Sequence, residues 1–100
     1  MMHIIFERTG GIMGRKVSLN LNLNEMPLDQ SSTLRRLVDE ADFFNLEETP
    51  AHLSRPDEFL YTITVTTGTI QHIFRTSDSS APEALRPLLT ELVERSHEKR

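Results

Sequence analysis

Histidine and carboxylate side chains are the groups in this sequence that could bind a metal ion or transfer a proton. The histidines are His3, His52, His72 and His97, and they fall in four different predicted segments. None of them is paired with another ligand at a spacing that would make a zinc site, although His3 and His72 could meet if their strands are neighbours. A cross-strand or surface role is favoured for each of them. The histidines therefore predict no metal and no cofactor.

The carboxylates follow the pattern of solvated helix surfaces. Asp39, Glu40 and Asp42 lie within four residues of one another on the first predicted helix, and Glu91 and Glu94 lie on the second, with basic residues close by. The sequence contains no nucleophile elbow, and no glycine motif follows a strand and opens a helix to cradle a phosphate. The pattern predicts a protein that is not an enzyme and favours a binding protein.

The glycine-rich segment is the strongest candidate for binding. Gly10, Gly11 and Gly14 surround Ile12 and Met13, between two segments with strand character. Glycine permits backbone angles that other residues avoid, so the segment can hold an unusual shape and present Ile12 and Met13 outward. The alternative is a plain hairpin turn in which Ile12 folds back onto the core. Both interpretations stay open on the residues alone.

Residues 47–57 are a second candidate segment. They form a polar connection that contains Pro50 and Pro56, and they are the longest irregular stretch in the chain. Long connections without secondary structure in a small domain are often functional.

Hydrophobic periodicity predicts four strands and two helices. Strands are expected over residues 2–8, 15–23, 59–66 and 69–76, where apolar and polar side chains alternate. The first helix is expected from a cap at Asp29 or a following serine to about Asp42, with Leu34, Leu37, Val38 and Ala41 on one side. The second is expected after Pro82, with a short 3₁₀-like start and Pro87 in its first turn.

The order of these elements is strand, strand, helix, strand, strand, helix. Two hairpins with two amphipathic helices predict an α+β fold, a four-stranded mainly antiparallel sheet with both helices packed on one face. The 100 residues form a single domain, and the other face of the sheet stays open to solvent or a partner.

The composition of the chain argues against nucleic acids and membranes as binding partners. A net charge of −4 with scattered basic residues argues against nucleic-acid binding, which needs a basic stripe. No apolar run approaches the length of a membrane span, and the amino terminus carries charge where a signal peptide needs apolar residues. Cysteine is absent, which fits a reducing compartment. We expect a cytoplasmic protein, a monomer that binds neither nucleic acid nor membranes.

Several motifs together resemble the emfourins, small bacterial inhibitors of thermolysin-like zinc metallopeptidases of the protealysin group. The motifs, in chain order, are Phe6-Glu7-Arg8-Thr9-Gly10-Gly11-x-x-Gly14, Leu37-x-x-x-Ala41-Asp42-Phe43-Phe44-x-Leu46, Pro56-Asp57-x-Phe59-x-Tyr61-x-Ile63-x-Val65, His72 and Pro82-x-x-Leu85-x-Pro87-Leu88-Leu89. They cover nearly the whole chain. Relatives often have Gly-Gly-Phe-x-Gly at the loop, whereas Ile12 and Met13 stand between the glycines here.

The resemblance implies a thermolysin-like metallopeptidase as the partner. Such enzymes have a cleft with a zinc ion and an apolar pocket for a bulky side chain. One hypothesis is that residues 10–14 enter this cleft with Ile12 or Met13 as the anchor. A competing hypothesis is that Asp57 or Glu58 approaches the zinc as a carboxylate, and its alternative is that Pro56 and Asp57 simply start the next strand.

A second class of function stays open. The chain could be a non-catalytic interaction or adaptor domain that binds through its polar sheet face or an exposed strand edge.

Overall fold

The computed structural model describes residues 2–10, 16–46, 59–77 and 80–98, with backbone alone for the last two. The strands are β1 (Met2–Gly10), β2 (Val17–Asn22), β3 (Phe59–Thr67) and β4 (Ile70–Ser77). The helices are α1 (Leu28–Glu40) and α2 (Arg86–Glu98), and short 3₁₀ turns lie at Leu23–Glu25, Phe43–Asn45 and Glu83–Leu85. The predicted α+β fold and element order are confirmed.

The four strands form one sheet in the order β2-β1-β3-β4, and all neighbouring strands are antiparallel. β1 lies in the centre, where Ile4 is paired with Leu21 of β2 on one side and with Val65 of β3 on the other. Residues directly opposite each other in an antiparallel sheet share a face. The register therefore fixes which side chains of all four strands point toward the helices.

The core lies between one face of the sheet and the two helices. Alternate strand residues such as Ile4, Phe6 and Ile63 are buried, and they form a single cluster with Leu34 of α1 and Leu88 of α2. Both helices therefore pack on the same face, as predicted. The opposite face carries Ile5, Thr64 and their neighbours and is left open by the described residues.

The ends of α1 differ from the prediction. Pro27 takes the cap position and no side chain caps the helix, so the predicted cap at Asp29 or a following serine is wrong. Proline supplies a fixed φ at this position, and Asp29 lies in the first turn, where its charge favours the helix dipole. The helix ends at Glu40, two residues before the predicted end, because Asp42 adopts a left-handed φ of 51°.

α2 begins as predicted. The turn Glu83–Leu85 precedes it, and Pro87 lies in its first turn, where a missing N–H costs no helical hydrogen bond. Arg95 of α2 pairs with Glu91 at 2.7 Å and donates from Nη1 to Gln30 of α1 at 3.1 Å, which links the two helices. Within the described ranges, neither helix is long and apolar enough to cross a bilayer.

Candidate functional site

Both candidate segments join the sheet at the same end. Gly10, the last residue of β1, is paired with Phe59, the first residue of β3. β1 therefore ends beside the point where β3 begins, and the strand residues next to the two candidate segments lie about 5 Å apart. Because Ser77, the last residue of β4, is opposite Leu60, that strand ends here too. We call this the loop end of the sheet.

Gly10 has a backbone conformation that favours glycine. Its φ is 102°, within the positive range that side chains with a Cβ rarely adopt. The prediction that glycine serves an unusual backbone shape is therefore confirmed at this position. Gly68, in the turn between β3 and β4 at the opposite end of the sheet, is also left-handed with a φ of 57°.

Two side-chain pairs brace the base of the loop end. The guanidinium carbon of Arg8 lies 4.7 Å from the centre of the Phe59 ring, a cation–π contact between β1 and β3. Lys16 Nζ lies 3.3 Å from Glu7 Oε2, across the segment that joins β1 to β2. Both partners of this ion pair are solvent-exposed, so it contributes at most about 1 kcal/mol. The strand ends from which the segments depart are thus tied to one another.

The predicted site residues fall mostly beyond what the structure describes. Gly10 lies at the loop end, as stated above. Outside the described residues lie Gly11, Ile12, Met13, Gly14, Asp57 and Glu58. Arg8 and Phe59 belong to the motifs of the sequence, but their contact follows from the β1–β3 register, which no local pattern reveals.

The histidines do not form a metal site in the described part of the chain. His3 and His72 lie on β1 and β4, which β3 separates, and they point to opposite faces of the sheet. His3 is hydrogen-bonded to Asn20 on the open face. His72 donates from Nε2 to the Leu46 carbonyl at 2.9 Å and packs edge-on against Phe43. No cluster of three or more potential metal ligands occurs among the described residues.

A cavity of about 470 Å³ lies away from the loop end. Its lining includes Met2, at the opposite end of β1, together with Arg35, Asp39 and Phe43 of α1 and the turn that follows it. The described residues at the loop end, Gly10, Phe59 and Ser77, are not among those that line this cavity.

The family model for Emfourin matches residues 6–93. The chain therefore belongs to the emfourin family, as its motifs predict. Emfourins are peptidase inhibitors and not enzymes, so the prediction that the chain is not an enzyme is also confirmed.

Among solved structures, the chain is similar to emfourin (M4in) from Serratia proteamaculans, described as an M4 family peptidase inhibitor. The two are 20% identical over 87% of this chain and 84% of that one, with a TM-score of 0.49. No curated protein gives a significant match to this sequence.

Proposed function

We propose that this chain is a protein inhibitor of thermolysin-like zinc metallopeptidases, with an enzyme of the protealysin type as its target. Membership of the emfourin family supports the proposal, and the relative from Serratia proteamaculans is described as an inhibitor of M4 peptidases. The observation that carries it is the pairing of Gly10 with Phe59, which brings the bases of both candidate segments to one end of the sheet.

The glycine-rich segment is the proposed anchor. Residues 10–14 enter the peptidase cleft, and Ile12 or Met13 fills the apolar pocket beside the scissile position. The pairing of Gly10 with Phe59 and the Arg8–Phe59 contact hold the base of this segment in the free protein. Less conformational entropy is then lost on binding, and the constrained backbone resists cleavage.

The second segment supplies the proposed polar contact. Asp57 or Glu58 approaches the zinc ion of the peptidase as a carboxylate, an oxygen ligand that zinc accepts. Glu58 directly precedes Phe59, the residue paired with Gly10, and this proximity supports joint action of the two segments.

One copy of the chain acts on one peptidase molecule in this proposal, and it does so without nucleic acid or membrane. We also propose that it acts in the cytoplasm, because a chain without cysteine needs no oxidising compartment for its fold.

Inhibition constants of single variants test the proposal. The purified protein is incubated with a thermolysin-like peptidase and a peptide substrate, and Ki is compared for Ile12→Ala, Met13→Ala, Asp57→Asn and Glu58→Gln. Leu28→Ala is the control, because Leu28 is 80% exposed at the start of α1 and not at the loop end.

We expect at least one change in residues 10–14 to raise Ki about tenfold or more, since burial of one apolar side chain is worth about 1.5–3 kcal/mol. Values within twofold of the parent for both Ile12→Ala and Met13→Ala would exclude this segment as the anchor. Unchanged cleavage by several such peptidases with the parent protein would instead favour an adaptor domain.

A further inference from the structure

The two segments at the loop end are small for a complete inhibitory interface. Residues 11–15 and 47–58 contribute five and twelve residues. A stable protein–protein complex typically buries about 800 Å² on each partner and involves roughly 20–30 residues per side. A peptidase that binds these segments therefore also needs contact with surface next to them.

The open face of the sheet offers such surface. Ile5, Leu60 and Ile73 point to this face and are 38%, 45% and 42% exposed. Ile5 and Ile73 flank Thr64 in one row across β1, β3 and β4. Leu60 lies four residues nearer the loop end on β3, about 13 Å along the strand. We call these three side chains the apolar stripe.

We infer that the apolar stripe is the second part of the peptidase interface, an inference that rests on the proposed function. Leu60 directly follows Phe59, so the stripe is continuous with the loop end. Thr64 lies between the two isoleucines, and the row between them and Leu60 holds Thr62 flanked by Glu7 and Arg75. Three large apolar side chains on one exposed face are surface that a partner can cover. Asn20 on β2, the neighbour of Ile5 at the side of the stripe, suits the solvated rim of an interface.

The chain offers a matched control on the same strand. Ile70 is 57% exposed, more than Ile73, but it is paired with Thr67 at the end of β4 remote from the loop end. The register also points Ile70 to the helix side of the sheet, whereas Ile73 points to the open face. Ile70→Lys and Ile73→Lys therefore introduce the same charge into the same strand, and only the second change alters the stripe.

The test measures Ki toward a peptidase that the parent protein inhibits. We expect Ile5→Lys and Ile73→Lys to raise Ki at least tenfold, while Ile70→Lys stays within twofold of the parent. Values within twofold for all three variants, or equal increases for all three, would overturn the inference. If the parent protein itself fails to inhibit, the proposed function fails, which is a separate outcome.

If a variant does not fold, a measurement on the unsubstituted protein tests the inference instead. The inhibitor is deuterated except for protonated isoleucine methyl groups. In an NMR cross-saturation experiment on the complex, the proton signals of the peptidase are saturated and the methyl signals of the inhibitor are observed. The methyl groups of Ile5 and Ile73 are expected to lose signal and that of Ile70 to keep it. Transfer to Ile70 alone, or to none of the three, contradicts the stripe as an interface.

Discussion

Gly10 is the residue at which backbone conformation and the proposed inhibition can be tested together. Its φ of 102° is costly for a residue with a Cβ, about 1–3 kcal/mol. We expect Gly10→Ala to lower the free energy of unfolding by that amount. For a domain of this size, each kcal/mol corresponds to a decrease in Tm of about 4–8 °C.

The same change is expected to weaken inhibition. Alanine relieves its strain by shifting φ, and such a shift changes the direction of the segment that begins at Gly11. If one anchoring side chain then leaves its pocket, about 1.5–3 kcal/mol of binding is lost, which raises Ki by a factor of about 10–150. A domain stable by about 5 kcal/mol that loses about 2 kcal/mol is still about 99% folded, so unfolding cannot cause this increase.

Gly68→Ala is the control for strain alone. Gly68 has a φ of 57° at the opposite end of the sheet, and an added Cβ meets no atom within 4 Å. Alanine at this position is expected to lower the free energy of unfolding by about 1–2 kcal/mol without changing Ki. Thermal unfolding and inhibition assays on both variants separate the two effects. The reasoning is refuted if Gly10→Ala is destabilised but inhibits within twofold of the parent, or if both variants lose inhibition equally.

Three further predictions concern the stability of the framework, measured by urea denaturation. A double-mutant cycle with Arg8→Gln and Phe59→Leu is expected to give a coupling of about 0.5–1 kcal/mol, and a coupling of zero contradicts the cation–π contact. Phe43→Ala is expected to lower the free energy of unfolding by about 3–5 kcal/mol, because Phe43 is 1% exposed and packs against other aromatic rings. A decrease below about 1 kcal/mol would argue against that packing. Asp42→Val is expected to lower the free energy of unfolding more than Asp42→Gly does, since the left-handed φ at this residue disfavours β-branched side chains. Equal decreases for the two variants would exclude backbone strain as the cause.

The local parts of the fold follow from the sequence because they depend on short-range patterns. In β3, Tyr61, Ile63 and Val65 are buried and Thr62 and Thr64 alternate with them, as period-two patterning requires. The ends of α1 do not follow in the same way. Pro27 takes the cap position without a side-chain hydrogen bond, and a left-handed aspartate at the other end is not marked by a glycine.

The strand order and the site depend on long-range pairing. Both hairpins are predicted from neighbouring segments, but the pairing of β1 with β3 joins residues that are 49 to 65 positions apart in the sequence. The sequence marks residues 10–14 and the stretch before Phe59 as separate candidates. The pairing of Gly10 with Phe59 brings together the strand ends next to these candidates, and neither segment encodes that pairing alone.

Titration of a thermolysin-like peptidase with this protein tests the central claim most directly. Peptidase at a known active-site concentration is incubated with increasing amounts of the inhibitor, and the residual cleavage of a peptide substrate is measured. We predict that activity falls with dose toward zero at one inhibitor per active site, and that a small active-site ligand slows the onset of inhibition by competition. Full activity of several such peptidases at a large excess of the protein would contradict the claim.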